Sequence, residues 1–277
     1  MTPPTVVRSL LRLTREGVAA DQDLVAVEAP LTVDISGPDG RVHPLGILMR
    51  TPGDDRALAL GALVAEGVIA TSADWTHVDT RDDRVLVTLT ATASLDALRD
   101  RVGTTTSACG LCGRVEVLAL EHRSSDEASP RTRLHVAAEV LTALPDHLRA
   151  AQAAFAQTGG LHAAGVFDAA GALVTAHEDV GRHNAVDKAV GALLQAGRLP
   201  ASTLVLVVSG RIAYEIVQKA AAAGFQLVVA VGATTDLAVD AARAAGLTLV
   251  GFTRDGRANI YTHPDRVLIG KKSPLNG

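Results

Sequence analysis

The fold is decided by residues 203–253, which read TLVLVVSGRIAYEIVQKAAAAGFQLVVAVGATTDLAVDAARAAGLTLVGFT. Short apolar strands alternate here with helical segments that end in glycine. This alternation is typical of a βαβ sheet that is covered by helices on both faces. The stretch therefore predicts an α/β domain of three layers.

The sequence upstream continues this pattern. Residues 137–157 are expected to be helical, with a break before Pro145, and residues 161–178 predict a hairpin whose turn is AAG. An amphipathic helix follows over 181–197 and is closed by Gly197.

In the N-terminal half the predicted strands and helices do not alternate regularly, and this half predicts a smaller α+β unit. Residues 124–133, SSDEASPRTR, concentrate small, charged and proline residues and are the best linker candidate. We therefore expect an N-terminal domain over 1–130 and a C-terminal domain over 131–277. The predicted elements of the first domain are strands within 23–50 around a turn at 38–40, a helix over 51–67, a strand over 84–91 and a short helix over 94–101.

Composition excludes several classes of protein. The chain has 277 residues, 48% of them hydrophobic, and its net charge of −4 argues against disorder as the main state. The 30 acidic residues against 26 basic ones leave no overall positive field for nucleic acid. Charges near the N-terminus disfavour a secretory signal, and the longest stretch without charges, 150–167, is too polar to span a membrane. We expect a cytoplasmic protein without nucleic-acid or membrane partners.

Cys109 and Cys112 form a C-G-L-C motif, the sharpest local feature. In a reducing compartment such a pair indicates metal or redox chemistry more often than a structural bridge. Half of a zinc site would need two more ligands, and the chain has no other cysteine. A thioredoxin-like role is disfavoured because the pair follows several strands. Arg114 nearby favours a thiolate, the form that attacks sulfur.

A second cluster, HEDVGRHN at 177–184, lies between a predicted strand and a helix, where ligands collect in α/β sheets. It lacks the H-x-E of zinc deaminases, and the C-x-x-C precedes it instead of following, so hydrolytic deamination is disfavoured. The alternative role of His183 and Asn184 is helix capping and hydrogen bonding in the core. Glu178 and Asp179 favour the helix N-terminus electrostatically.

Three further segments could bind phosphate. Ser209-Gly210-Arg211 and Gly232–Asp236 each follow a buried strand and open a helix, where backbone N–H groups attract anions. Arg254 and Arg257 flank a turn after the last predicted strand. The alternatives are a helix cap at Thr235 or Asp236 and solvated surface arginines.

Taken together, the sequence resembles the formate dehydrogenase accessory sulfurtransferase family. The segments that carry the resemblance span most of the chain. They are EAPLTVDI (28–35), MRTPGDDRALALGALVAEGVI (49–69), TSACGLCGR (106–114), TGGLHAAGVFD (158–168), EDVGRHNAVDKAVG (178–191), VSGRIAYEIVQKAAAAG (208–224) and the segment that begins LTLVGFTRDGR at 247 and ends at 266.

The resemblance implies a C-terminal cytidine-deaminase-like α/β domain, a smaller N-terminal α+β domain and a homodimer. It implies a sulfur carrier that takes persulfide sulfur from a cysteine desulfurase. The sulfur passes to the bis-molybdopterin guanine dinucleotide form of the molybdenum cofactor, before that cofactor enters formate dehydrogenase. The competing class is a chaperone that binds the cofactor without transferring sulfur.

The resemblance also assigns site residues. Cys109 would carry the persulfide and Cys112 would assist or resolve it, and no metal ligand is implied. GDP is the expected analogue of the cofactor's nucleotide end. The cofactor contacts map onto Phe252, Thr253, Arg254, Asp255, Gly256 and Arg257, with Arg211 and Arg182 as further candidates.

The sequence departs from the family pattern at residues 231–238, VGATTDLA, where members commonly read close to VSAPTSLA. Asp236 then places an acid near a presumed anion site. It either caps the following helix or faces the cofactor pocket, where it would repel phosphate.

Overall fold

The computed structural model describes residues 2–93 and 134–270. The predicted short helix at 94–101, the C-x-x-C motif and the linker at 124–133 lie outside the described residues. The division into domains at residue 130 therefore stays a prediction.

The N-terminal unit contains a hairpin, a mixed four-stranded sheet and one helix. The hairpin pairs β1 (Thr5–Thr14) with β2 (Gly17–Ala26). The sheet has the order β4-β3-β6-β5, with β3 and β6 parallel, and helix α1 (Asp55–Ala65) packs on it. The strands of the sheet are β3 (Ala29–Ser36), β4 (Val42–Arg50), β5 (Trp75–Arg81) and β6 (Arg84–Leu89). A short 3-10 helix, Ser72–Asp74, precedes β5.

The second sheet has six strands in the order β13-β12-β11-β10-β8-β9. Its centre, β10 to β12, is parallel, and its two outer pairs are antiparallel hairpins. A separate parallel pair joins β7 (Val136–Ala137) to β14 (Val267–Leu268). A short 3-10 helix, Pro264–Arg266, comes directly before β14. The six strands are β8 (His162–Phe167), β9 (Leu173–Asp179), β10 (Val205–Val208), β11 (Leu227–Ala230), β12 (Thr248–Arg254) and β13 (Arg257–Thr262).

Helices cover both faces of this sheet, which confirms the predicted three-layer α/β class. One face carries α4 (Arg182–Gln195), α5 (Tyr214–Ala222) and α6 (Asp236–Ala244), and the other carries α2 (Ala138–Ala150). A short helix, α3 (Ala153–Thr158), lies against β2. The larger buried cluster runs from the N-terminal sheet through α1 and α4 to the six-stranded sheet, so the two sheets share one core.

Helix α2 corrects the predicted break before Pro145. The helix runs through Pro145 and ends at Ala150. Proline removes one backbone hydrogen bond and costs about 3 kcal/mol inside a helix. Here Leu141, Leu144 and Leu148 are buried with Pro145 on one stripe against the sheet, and this packing outweighs the local penalty.

The structure contains strands that the sequence analysis did not predict, including β5 (Trp75–Arg81) and the two described next. Residues 257–262 form β13, and residues 5–26 form the β1–β2 hairpin, whose apolar side chains Leu11 and Leu13 are exposed. In the hairpin, the charged side chains of Arg8, Arg12, Asp21 and Asp23 interrupt the apolar alternation on which strand prediction depends. Within the described ranges no helix is long and apolar enough to cross a membrane.

Candidate functional site at the carboxyl edge of the large sheet

The topology brings the predicted cofactor residues to one edge of the six-stranded sheet. Strands β10, β11 and β12 are parallel, and two antiparallel pairings make β9 run in the same direction. The carboxyl ends of these four strands therefore share an edge, where β8 and β13 begin. Arg182, Arg211 and the segment 252–257 all lie along this edge, which is where ligands bind in open α/β sheets.

The β12–β13 hairpin presents the predicted cofactor segment. Arg254 and Arg257 are paired across a two-residue turn in which Asp255 has φ 51° and Gly256 has φ 70°. These values fit the Asp-Gly turn that suits the twist of a hairpin. The hairpin therefore holds the two exposed guanidinium groups on adjacent strands at the sheet edge.

Phe252 is the strained residue of this hairpin. Its φ is 51°, although a bulky side chain disfavours the left-handed region, and the residue is 42% exposed. The pairing of β12 with β13 shifts register between Gly251 and Arg254, and the Phe252 N–H donates to the Gly232 carbonyl over 2.9 Å. Strain of this kind clusters at ligand sites. The next side chain, Thr253, is fully buried, and its Oγ1 has no hydrogen-bond partner among the described residues.

The loops after β10 and β11 are joined by backbone hydrogen bonds. The Ile212 N–H donates to the Ala233 carbonyl over 2.9 Å, and the Thr235 N–H donates to the Ile212 carbonyl over 3.0 Å. A Cβ on Gly232 would lie 2.9 Å from the Gly210 carbonyl oxygen, so the close approach of the loops requires glycine. The two predicted phosphate-binding segments thus form one continuous backbone surface.

The N-cap of α6 is Thr235, whose side chain accepts the Ala238 N–H over 3.4 Å. Asp236 is the first helical residue and is exposed. The interpretation of Asp236 as the cap is therefore wrong, because the hydroxyl one residue earlier takes that position. Its orientation toward the cofactor pocket stays a prediction.

Within the HEDVGRHN cluster, Asp179 and Asn184 belong to a buried ionic network. Asp179 is fully buried and its Oδ2 lies 2.8 Å from Lys188 Nζ. Its Oδ1 accepts from the Gly181 N–H and from Asn184 Nδ2 over 2.8 and 2.9 Å. Both oxygens are engaged, because Oδ2 also accepts the Thr51 N–H over 3.1 Å. The core hydrogen-bonding role of Asn184 is confirmed.

This network ties the two sheets together. Asn184 Nδ2 donates to the Met49 carbonyl over 2.7 Å, and Lys188 Nζ donates to the Thr51 carbonyl over 2.9 Å. The Thr51 hydroxyl accepts the Val180 N–H over 3.1 Å. The strand end at 49–51 is therefore fixed to the first turn of α4. The sequence analysis missed Thr51 and Lys188, since only their position inside two long matching segments marked them.

Glu178 and His177 make further hydrogen bonds beside this network. Glu178 accepts the N–H groups of Ala154 and Phe155 over 2.9 and 2.7 Å, so it caps α3. His177 Nδ1 lies 2.8 Å from Asp54 Oδ2, and this hydrogen bond lowers the pKa of Asp54 more than burial raises it. Glu178 thus stabilises a helix N-terminus, though of α3 and not of α4.

His162 is a further residue that the sequence analysis did not single out. It opens β8 at the carboxyl edge and lies beside Gly210, where an added Cβ would be 3.3 Å from its Nδ1 and 3.9 Å from the Arg182 Cβ. Burial lowers the pKa of His162 below its usual 6.5, and the positive charge of Arg182 adds a smaller effect in the same direction. No sequence motif indicated it, because its neighbours come from three separate segments.

Within 2–93 and 134–270, no group of three His, Cys, Asp or Glu side chains is placed to hold a metal ion. Cys109 and Cys112 lie outside these ranges, so their predicted role stays a prediction.

The fold and this edge define an α/β protein with arginine side chains along one edge of its large sheet, and comparison with known proteins gives its family. Residues 26–268 match the model of the FdhD/NarQ family. The chain is 42% identical over 273 residues to the sulfur carrier protein FdhD of Streptomyces coelicolor, which covers 95% of both chains. It is 39% identical over 279 residues to that of Mycobacterium tuberculosis, covering 95% of this chain and 98% of the relative. The chain belongs to the FdhD/NarQ family.

A solved structure supports the fold. The crystal structure of a protein from Desulfotalea psychrophila, described as a formate dehydrogenase accessory protein, matches with a TM-score of 0.74. The match covers 96% of this chain and 100% of that chain at 22% identity, so it bears on the fold alone. The family that the motifs predicted is confirmed by these comparisons.

Proposed function

We propose that this protein is a sulfur carrier that serves formate dehydrogenase. The observation that supports this proposal most directly is the 42% identity, over 95% of both chains, to a relative named sulfur carrier protein FdhD. In this proposal a cysteine desulfurase donates the sulfur, and the bis-molybdopterin guanine dinucleotide cofactor receives it as substrate. The protein acts as a homodimer in the cytoplasm.

The carboxyl edge fits the nucleotide end of this substrate. Arg254 and Arg257 provide guanidinium groups for a diphosphate, and the exposed ring of Phe252 offers a face on which a guanine base can stack. Thr253 Oγ1, which is buried without a partner in the described part of the chain, and the closely joined glycine loops favour a polar ligand at this edge. Arg211, exposed after β10, adds a further positive charge.

The sulfur-transfer steps of this proposal use the two thiols of the C-x-x-C motif. The Cys109 thiolate attacks the outer sulfur of the desulfurase persulfide. The desulfurase cysteine leaves as a thiolate, and the transferred sulfur forms a persulfide on Cys109. Only with the acceptor cofactor bound does the Cys112 thiol attack the inner sulfur of the Cys109 persulfide, which forms a disulfide and releases the outer sulfur to the cofactor as sulfide. The two thiols supply the two electrons of this step, and a thiol reductant then reduces the disulfide for the next cycle. Arg114 favours the thiolate forms.

The test is mass spectrometry of the purified protein after incubation with a cysteine desulfurase and cysteine. Wild-type protein should gain the mass of about one sulfur atom on Cys109, and a reductant should remove it, because a persulfide is a reversible thiol cap. The matched variants are Cys109→Ala, which should not load, and Cys112→Ala, which should load and retain the sulfur. Unchanged wild-type mass, or full loading of Cys109→Ala at Cys112, contradicts the assignment. If Cys109→Ala still restores formate dehydrogenase activity, the protein is instead a cofactor chaperone.

A further inference from the structure

At the other end of the carboxyl edge, away from the β12–β13 hairpin, three residues from separate segments converge. His162 begins β8, Arg182 begins α4 and Gly210 follows β10. A Cβ on Gly210 would lie 3.3 Å from His162 Nδ1, 3.5 Å from its Cε1 and 3.9 Å from the Arg182 Cβ. The glycine therefore leaves room for the imidazole directly beside the base of the Arg182 side chain.

Among the residues that the structure describes, the polar side-chain atoms of His162 and Arg182 have no hydrogen-bond or ion-pair partner. Arg182 Nε is buried without a hydrogen bond, and within the described part of the chain the guanidinium makes no ion pair. The His162 imidazole likewise forms no hydrogen bond or ion pair with any described residue. A buried donor without a partner costs about 1–3 kcal/mol, so groups left in this state favour a ligand that satisfies them.

The charges around the cluster favour an anion. Asp179, whose charge opposes the lowering of the His162 pKa, is itself engaged by Lys188, Asn184, Thr51 and Gly181, and it forms no ion pair with Arg182. The lowered pKa of His162 keeps its imidazole neutral near pH 7, which gives it one N–H donor and one acceptor. A guanidinium whose charge reaches the imidazole, together with a neutral N–H donor, matches the oxygens of a phosphate group.

We propose that His162 and Arg182, positioned over Gly210, form a phosphate-binding subsite for the anionic part of a guanine nucleotide substrate. This inference rests on the proposed function for the identity of the nucleotide. The subsite is distinct from the Phe252–Arg257 hairpin. Strands β12, β11, β10 and β8 are consecutive neighbours, so three strand spacings, about 14 Å, separate the two ends.

The test measures binding of GDP, pyrophosphate and guanosine by calorimetry. Arg182→Gln should weaken the binding of GDP and pyrophosphate by about 10-fold to 150-fold, because a charge-assisted hydrogen bond is lost. His162→Phe keeps a ring of similar size but no N–H, and should weaken both by about 2-fold to 12-fold. Neither change should alter guanosine binding.

The matched controls carry the same substitutions elsewhere. Arg198→Gln lies beyond the far end of α4, and His77→Phe lies on the exposed side of β5. Both should bind GDP like wild type. Melting temperatures of all four variants should stay near that of wild type.

A second measurement separates ligand contact from a structural role. The imidazole signals of His162 in an NMR titration, identified by their loss in His162→Phe, report its pKa directly. Saturating GDP should raise this pKa, because a phosphate close to the ring favours the protonated form against the opposing effect of Arg182. A histidine that only packs against Gly210 would titrate identically with and without GDP.

The outcomes distinguish the two proposals. If wild type binds GDP and both variants bind it equally well, the subsite is refuted while the proposed substrate stands. If wild type binds pyrophosphate with this dependence on Arg182 and His162 but does not bind GDP, the subsite stands and the guanine nucleotide substrate is refuted. If wild type binds neither, both are refuted.

Discussion

At the scale of single residues, Asp187 shows how burial sets a pH dependence. It is 3% exposed on α4, and Lys219 Nζ on α5 lies 2.7 and 2.8 Å from its two carboxylate oxygens. Burial raises the pKa of Asp187 to about 6, with smaller contributions from Glu66 and Asp179, and Lys219 only partly opposes this. The folded protein therefore holds this proton at a pH where the unfolded chain has released it.

The sign of the resulting pH dependence follows from linkage. The unfolded pKa is about 3.9, so the contribution of Asp187 to stability is fully present below that pH and is lost as the pH rises through about 6. Between pH 5 and pH 7 we expect wild type to lose about 1 kcal/mol of unfolding free energy that Asp187→Asn does not lose. Urea unfolding at both pH values measures this. The control Asp240→Asn, at an exposed ion pair with Arg243, should follow the wild-type pH dependence, and a parallel course of wild type and Asp187→Asn would contradict the prediction.

At the scale of elements, the contact of α1 with α4 joins the N-terminal unit to the large sheet. Two glycines allow the backbones to touch, because a Cβ on Gly61 would lie 1.8 Å from the Asp187 carbonyl oxygen and one on Gly191 would lie 1.9 Å from the Ala57 carbonyl oxygen. No side-chain rotation relieves a clash with backbone. The two helices can only move apart, which would open the shared core.

We expect Gly191→Ala to lower the unfolding free energy by about 3 kcal/mol, although alanine is the better helix former by about 1 kcal/mol. Chemical denaturation measures the loss. The matched control is Gly160→Ala, whose Cβ would meet its nearest neighbour at an ordinary 3.7 Å and which should change stability little. Wild-type stability in Gly191→Ala would show that the helices separate without cost.

At the scale of the whole molecule, the Asp179–Lys188 pair couples segments that are far apart in sequence. Asp179 accepts the Thr51 N–H across 128 positions, and Lys188 donates to the Thr51 carbonyl across 137. Both charged side chains are almost fully buried. Removing one partner leaves an uncompensated buried charge, whereas removing both does not.

Lys188→Met should therefore cost about 3–5 kcal/mol of unfolding free energy, and the double variant Asp179→Asn/Lys188→Met should cost less than the sum of the two single changes.

Two spectroscopic probes follow the unfolding of the two parts of the chain. Trp75, the single tryptophan, reports on the N-terminal unit by fluorescence, and circular dichroism reports on the whole chain. In wild type the two transitions should coincide, and in Lys188→Met the fluorescence change should come first. Strict additivity of the two substitutions would show that the pair is not coupled.

The sequence by itself determined the α/β class, the order of most elements in the second half and the family. These follow from local information, namely the period of apolar residues and the glycines that end helices, as at Gly197 with φ 64°. It also placed Arg211, Arg254 and Arg257 correctly at strand ends, since parallel strands bring their carboxyl ends to one edge.

Only the tertiary structure decided the rest. Pro145 stays within a helix because the side of α2 that carries it is buried against the sheet. Strand β13 forms because it pairs with the backbone of β12. The partners of Asp179 and the cluster of His162 with Arg182 depend on contacts between distant segments, and no local period or turn records such contacts. Local patterns specify which elements form, whereas the energy of burying polar groups among them is set only when the elements pack.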